Sequence, residues 1–348
     1  MADTAVRDWF TCPRCERGRL AWSDSLGRPK CSSCGLTPRG SKPVYDLEGA
    51  GHEQTANHYT LQWGRDKAFF DFIQKQPKAK AVTPGGQMGW PALFEEIRTE
   101  ARSAKTPIHV YDAACGFGGI TQELVSDQTA AGIRYVGADI HHSLDLIAEK
   151  IPALANCGML VRWDISKPLP TDQRFDYVIC RAAIHHTPDP RKTLAALVSR
   201  LKPGGQIAIT VYRKKGTARE ALDDAFRAEI VPMEPEPAFA VSRQFTVLGR
   251  ALQQIEQTVT ISEDLPLFGV QKGEHKVQTL FYNHFLKCFY NPLFGEEYST
   301  LVNYDWYHPR YAYRCRREEV QAWFDEAGLQ VTKFAAIEAQ MFFLAKAG

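Results

Sequence analysis

Several features are missing from these 348 residues, and each absence narrows what the chain does. No apolar run approaches the ~20 residues needed to span a bilayer, so no transmembrane helix is expected. No charged-then-apolar leader opens the chain, and the expected location is cytoplasmic. Charge of either sign is scarcely in excess. The 42 Lys and Arg against 40 Asp and Glu leave +2, which argues against a whole-molecule polyanion binder but leaves room for a local basic patch. A phosphate-cradling G-x-x-x-x-G-K loop is absent, so nucleoside triphosphate hydrolysis is not expected. The nine cysteines are odd in number and five of them are scattered through strand-like segments, which suits a reducing compartment better than a disulfide framework.

What is present begins with the other four cysteines. Cys12 and Cys15, then fifteen residues, then Cys31 and Cys34 give the C-x2-C…C-x2-C spacing of a structural zinc site. Two disulfides or four free thiols are the alternatives. Four thiolates fill a tetrahedral shell and leave no open position for catalysis, and so short a segment would draw its stability from the metal. Residues 1–45 carry eight Lys or Arg against four Asp or Glu, which reads either as an RNA footprint or as a solvated basic surface docked on a neighbouring domain.

The chain is organised around residues 108–119. The apolar run Ile108 to Tyr111 leads into Asp112, then a tight turn through Ala114, Cys115, Gly116 and Gly118, then a helical segment expected from Ile120 to Ala130. Glycine without a side chain permits positive φ and lets the backbone approach a ligand. Two further strands end in acids: Ile133 to Asp139, 21 positions after Gly118, and Met159 to Asp164. At that spacing the Asp139 carboxylate can accept both hydroxyls of a ribose. Phe175 to Cys180 is a fourth strand, followed by Arg181 to His186, a helix from Arg191 to Leu201, a Lys202-Pro203-Gly204-Gly205 turn and a fifth strand. Alternating strands and helices predict a parallel sheet covered on both faces, with ligands outside the carboxyl ends of the strands.

The turn resembles the first motif of class I S-adenosylmethionine (SAM)-dependent methyltransferases: an acid, x, Gly, Cys or Gly, Gly, x, Gly. Asp112, Cys115, Gly116 and Gly118 match it, and Ala114 replaces the first glycine. His185-His186-Thr187-Pro188-Asp189 through Leu201-Lys202-Pro203-Gly204-Gly205 looks like a second signature of that family. The resemblance covers about 170 residues. It implies a Rossmann-like α/β fold with a seven-stranded, mostly parallel sheet closed by a final hairpin, here Leu329 to Ala336 and Gln340 to Ala345 after a helix from Arg317 to Ala327. It further implies SAM as cofactor, with Asp112, Ala114, Cys115, Gly116, Gly118, Asp139, Ile140, Asp164, Ile165 and Arg181 around it. The cysteine segment is laid out like the ribbon of bacterial 23S ribosomal RNA guanine methyltransferases.

The expected domains are therefore a zinc ribbon (1–46), a linker and lid (47–106), the cofactor-binding core (107–213), an insertion (214–314) and the end of the core (315–348). Within the linker, Gly49 to Ala56 reads as a connection, Lys67 to Lys75 and Trp90 to Ala104 as helices, and 84–89 as a loop. Tyr59 and Trp63, at i and i+4, would share a helical face over the cofactor. The insertion carries a helix from Ser242 to Val259 and twelve aromatics in the 33 residues from Phe281 to Tyr313. Such residues wall a planar acceptor, stack nucleobases or simply form core. Tyr282, Tyr304, Asp305, Trp306, Tyr307 and His308 are the candidate acceptor contacts.

SAM is an activated electrophile, so the protein aligns a nucleophile, excludes water and, for an oxygen or nitrogen acceptor, supplies a base. His186, His185 and His308 are the candidates by residue type. Arg181-Ala182-Ala183-Ile184 stands where amino-methyltransferases carry Asp/Asn-Pro-Pro-aromatic, which disfavours base methylation at an exocyclic amine. No Pro-Cys nucleophile pair is present for pyrimidine C5 chemistry. The expected reaction is methyl transfer to a small molecule, with no membrane partner. RNA methylation through the ribbon, SAM chemistry other than methyl transfer, and a scaffold without turnover are the alternatives.

Overall fold

The computed structural model describes residues 4–23, 28–41, 43–47, 53–65, 88–125, 129–142 and 144–348. The expected helix at 67–75 and the loop at 84–87 lie outside the described residues.

The N-terminal segment holds a short helix α1 (Thr4–Arg7), a hairpin of β1 (Leu20–Ser23) and β2 (Arg28–Cys31), and a second hairpin of β3 (Arg39–Ser41) and β4 (Val44–Asp46). Helices α2 (Glu53–Arg65) and α3 (Trp90–Ser103) follow, so the expected connection at 49–56 is already helical from Glu53. Pro91 at the first turn of α3 costs no hydrogen bond there. Trp90, Leu93, Phe94, Ile97 and Ala101 form the apolar stripe that packs this helix onto the sheet.

The core then alternates: β5 (Ile108–Ala113), α4 (Gly119–Leu124), β6 (Ile133–Asp139), α5 (Leu144–Lys150), α6 (Leu154–Cys157), β7 (Gly158–Arg162), β8 (Phe175–Cys180), α7 (Pro190–Val198) and β9 (Leu201–Arg213). The insertion contributes α8 (Thr217–Ile230), α9 (Pro235–Gln253), the hairpin β10 (Thr258–Ile261) and β11 (Gly273–Lys276), α10 (Val277–His284) and α11 (Gly295–Tyr307). Strand β12 (Arg314–Cys315), α12 (Arg317–Glu326), β13 (Leu329–Ala336) and β14 (Gln340–Ala347) close the chain.

One sheet runs β13-β14-β9-β8-β5-β6-β7-β4-β3, parallel from β9 through β4 and antiparallel at both ends. The expected seven strands lie in it, but it has ten. Strand β4 adds itself parallel to β7, pairing Val44 with Leu160, and brings β3 along. Strand β9 outruns β8, whose last pair is Cys180 with Ile209, and β12 pairs with the freed stretch at Tyr212 and Arg213. Alternate residues of the central strands feed opposite faces. Tyr111, Val136 and Val161 join one core with α7, α12 and the ribbon, while Val110, Tyr135 and Leu160 join the other with α3 to α6. A third core lies within the insertion around Phe245, Leu286, Trp306 and Tyr307.

Three expected boundaries shift. The helix after the glycine turn ends at Leu124 rather than at Ala130. The insertion's long helix runs Pro235–Gln253, because Pro235 and Pro237 fit its first turn rather than breaking it. Lys202 to Gly205 lies inside β9, where Gly204 at φ 72 absorbs the irregularity in pairing with β8.

Candidate active site

The carboxyl ends of β5, β6, β7 and β8 open on one crevice, where the strand order reverses about β5. The turn after β5 takes positive φ at Ala114 (64), Gly116 (55) and Gly118 (86). Ala114 thus holds the left-handed conformation that the missing glycine would adopt freely, a strain of the kind that persists where surrounding structure enforces it. A side chain at Gly118 would also lie 2.7 Å from Ile147, so backbone angle and space both require glycine.

Asp139 binds this turn to the next strand. Its Oδ2 accepts from Gly116 N at 2.8 Å, and its Oδ1 accepts from Ile140 N at 2.8 Å. His141 Nε2 donates to the Gly116 carbonyl at 2.8 Å, clamping the turn from its other side. A carboxylate offers about four acceptor sites, so the amides leave Asp139 capacity for a ligand. Asp112 is fully buried. Its Oδ2 accepts from Tyr135 Oη at 2.5 Å, while Oδ1 has no hydrogen bond. Burial raises its carboxyl to about 7, and the half-buried Arg181 guanidinium opposes that rise. Arg181 lies over the Trp90 ring, 5.8 Å from its centre, and burial lowers it from the usual arginine value. Asp164 Oδ1 accepts from Ser166 N at 2.8 Å, and Ile165 is buried in the core while Ile140 is half-buried. Cys115 is buried with its amide on the Ala138 carbonyl, and burial pushes its thiol well up.

After β8 the chain takes a single 3-10 turn, Ile184–His186, following Ala182 at φ 54. His186 Nδ1 lies 2.7 Å from the Tyr311 carbonyl, so that nitrogen carries the proton. Its Nε2 is then a bare lone pair, buried and without a hydrogen bond. Burial lowers His186, and the Asp305 carboxylate partly opposes this. His185 packs against Tyr212 with the rings tilted and their centres 3.7 Å apart, the Thr210 carbonyl lies alongside, and neither ring nitrogen completes a hydrogen bond. Residues 311–315 lie along this turn because β12 pairs with the end of β9 and Tyr313 N donates to the His185 carbonyl at 2.9 Å.

Helix α2 joins the crevice to the insertion. Tyr59 meets His186 edge-on at 5.8 Å, and burial with the Asp305 and Asp139 carboxylates pushes its phenol well up. Its neighbour Thr60 accepts from His142 N at 3.4 Å, tying α2 to the turn after β6. His58 stacks on Tyr304 at 4.3 Å, and its Nδ1 lies 2.8 Å from His308 Nδ1.

The six candidate acceptor contacts divide by helix periodicity. Tyr304 and His308 share the face of α11 that meets α2 and stack on each other at 4.9 Å. Asp305 and Trp306 turn toward β9: Tyr212 Oη donates to Asp305 Oδ2 at 2.7 Å, and the Tyr212 and Trp306 rings lie 4.5 Å apart. Tyr307 points into the insertion core, stacked on Phe245 at 4.2 Å with its hydroxyl on the Lys287 carbonyl. It is a packing residue rather than a wall of the crevice. Tyr282 is half-buried in α10, beside Arg219 and Lys287. His308 also departs from expectation, because Nε2 donates to the Met233 carbonyl at 2.9 Å and Nδ1 faces His58, which leaves it no free lone pair. Two residues of the site go unremarked in the sequence: Tyr212, near the carboxyl end of the fifth strand, and His58, for which its spacing four before Gln62 is the one signal.

The four cysteines converge, their sulfurs all within 4.8 Å of one another and two pairs at 3.6 Å. A tetrahedron of thiolates around zinc has edges of about 3.8 Å, so the set fits a closed metal shell. The segment docks at the amino ends of the central strands, the opposite end of the sheet from the crevice. Trp9 packs on His109 at the start of β5 (4.6 Å), and Thr171, before β8, donates to its carbonyl at 2.6 Å. No helix among the described residues is long and apolar enough to cross a membrane.

Residues 111–207 match a family model described as a methyltransferase domain. An uncharacterised protein of Synechococcus is 29% identical over 151 residues, 41% of this chain and 35% of that protein. The ubiquinone biosynthesis O-methyltransferase of Coxiella burnetii is 29% identical over 135 residues, 38% of this chain and 56% of the enzyme. The chain thus spans from a third to about half the length of these curated relatives. Among solved structures, the carbon methyltransferase CurJ superposes with a TM-score of 0.46 at 13% identity, covering 83% of this chain and 60% of that one. At that similarity nothing about activity follows.

Proposed function

We propose that this chain transfers a methyl group from SAM to a small-molecule acceptor held between the α/β core and the insertion. The observation that carries the reading is His186: its tautomer is fixed by the Tyr311 carbonyl, its Nε2 lone pair is buried and unused, and Tyr59, which feels the Asp139 carboxylate, meets its ring edge-on. The match of residues 111–207 to the methyltransferase domain supplies the cofactor class.

The residues present fit that cofactor. The unsatisfied Oδ1 of Asp112 suits its ammonium and the nearby Arg181 its carboxylate. Asp139 retains acceptor capacity for the ribose, Asp164 suits the adenine amine, and Ile140 and Ile165 offer apolar surface to the ring. The positive-φ turn of Ala114, Cys115, Gly116 and Gly118 brings backbone alone against the ligand. Bound there, SAM supplies an electrophilic methyl on sulfur.

The chain's own residues do the rest. His186 Nε2 takes the proton from an acceptor oxygen or nitrogen, and the lowered pKa keeps that nitrogen unprotonated at neutral pH. Asp305, held by Tyr212, steadies the imidazolium that forms. Tyr59 and the other residues of α2 exclude water from above. His308 acts through His58 as a positioning residue, and His185 orients the turn. The cysteine segment holds a structural zinc, α2 forms the lid and 214–314 the acceptor domain. Its attachment opposite the crevice favours a small molecule over an RNA docked through the ribbon.

The test is conversion of SAM to S-adenosylhomocysteine when the low-mass fraction of a host extract is added. Turnover that depends on that fraction and vanishes in Asp139→Ala is expected. Turnover with no fraction overturns the reading.

A further inference from the structure

Lys287 follows α10 and is 7% exposed, in a region where a lysine ordinarily has a partner. Among the described residues its ammonium makes no hydrogen bond and no ion pair. It lies instead over the Trp306 ring, 4.6 Å from the centre, and 5.7 Å from that of Tyr282. The neighbouring guanidinium of Arg219, 2% exposed, also lies over both rings, at 5.4 and 5.8 Å. Arg219 spends Nε on Asp223 at 2.8 Å and Nη1 on the Tyr282 carbonyl. Asp223, the carboxylate that Arg219 holds, is shared with the Tyr307 hydroxyl, and among the described residues Lys287 is left as a largely buried cation without a counter-ion.

Holding such a charge largely out of water is costly, and the aromatic faces beside it return only part of that cost. Burial and Arg219 act together to lower Lys287 to about 8, with Asp305 and Asp223 opposing them. The position is joined to the crevice through packed rings. Tyr212 packs on Trp306 at 4.5 Å and on His186 at 5.2 Å, so two rings separate the ammonium from the base, and Asp305 acts electrostatically on both.

We infer that Lys287, with Arg219 behind it, is the binding site for an anionic group on the methyl acceptor, a carboxylate or a phosphoryl oxygen. The inference deepens the methyl-transfer reading and rests on it. An acceptor anchored here presents its nucleophile across the Tyr212 and Trp306 rings toward His186, so an uncharged analogue binds poorly however well its ring fits.

The experiment titrates benzoate, phenyl phosphate and benzamide into the full chain by calorimetry, with and without S-adenosylhomocysteine. Either anion is expected to bind about tenfold or more tightly than benzamide, and Lys287→Met to abolish that preference. Lys287→Arg is expected to retain it. Lys287→Met should also melt higher than the natural protein, since it removes an uncompensated buried charge. Anions that bind no better than benzamide overturn the inference, as does Lys287→Met binding them undiminished or melting lower. S-adenosylhomocysteine binding, read in the same titrations, judges the methyl-transfer reading separately. If it fails while the anion preference holds, that reading fails and the Lys287 site stands.

Discussion

His58 Nδ1 and His308 Nδ1 meet at 2.8 Å across 250 residues of sequence, and their protons can be assigned. His308 Nε2 donates to the Met233 carbonyl, so its Nδ1 accepts and His58 Nδ1 must donate. His58 Nε2 is then an acceptor, which requires the Gln62 side chain, at 3.1 Å, to present its amide NH2 there. The pair is a directed chain of neutral groups that fastens α2 to the insertion.

Replacing His58 by Ala breaks that chain and strands the His308 lone pair. The expected cost is about 1–3 kcal/mol. Hydrogen exchange should accelerate in α2 and stay unchanged in β5 to β9. Equal acceleration throughout would mean that the pair supports the whole domain rather than the lid.

The buried histidines set an acid limit on stability. Burial is the first cause that lowers His58, His185, His186 and His308 below 6.5 in the folded chain. Once the pH falls below the unfolded value, the unfolded chain binds more protons, so their contribution is full above about 6.5 and is lost as the pH falls from there toward the folded values. The melting temperature should therefore drop between about pH 6.5 and 5, and more shallowly in His185→Phe.

His186→Gln keeps a donor for the Tyr311 carbonyl and removes the base. Turnover should fall about 100-fold or more while cofactor affinity holds within about twofold. The pH–rate profile should lose its acid limb, which in the natural protein lies below the ordinary histidine value. A KM effect alone would assign His186 to acceptor binding.

Asp112 titrates in the opposite sense. Its carboxyl is raised to about 7 from 3.8, so its ionisation opposes folding as the pH rises through 7, and a bound ammonium relieves the cost. Cofactor binding below pH 7 should therefore release a proton, seen as a buffer-dependent enthalpy in calorimetry. Asp112→Asn should remove that dependence.

Zinc should be present at one ion per chain, and Cys31→Ser should reduce it. Because β4 continues the central sheet, removal by a strong chelator should lower the melting temperature of the core and not merely unfold residues 1–46. An unchanged melting curve would show that the segment folds without metal.

Much of the core could be read from the sequence because its signals are local. Leu329–Ala336 starts and stops where expected, since Gly328 caps the helix before it. Asp139 ends its strand, Asp112 is one residue short of its strand's end and Asp164 lies two beyond, so all three fall at the carboxyl ends where a parallel sheet meets its ligand. Lys202 to Gly205 deceived because Pro-Gly-Gly usually turns a chain, and only the pairing with β8 makes it a bulge. The acceptor side was least legible. Residues 304–308 mix polar and aromatic types, and which of them reaches the crevice depends on how α11 is rotated against α2 and β9. The tie between His58 and His308 has no local signature at all.

The most direct measurement is the fate of the methyl group itself: label from methyl-labelled SAM followed into fractionated extract, with Asp139→Ala as the blank. Label in a low-mass, nuclease-resistant and anionic product, lost in His186→Gln, is the predicted result. Label confined to nuclease-sensitive macromolecules, or none above the blank, would contradict the account.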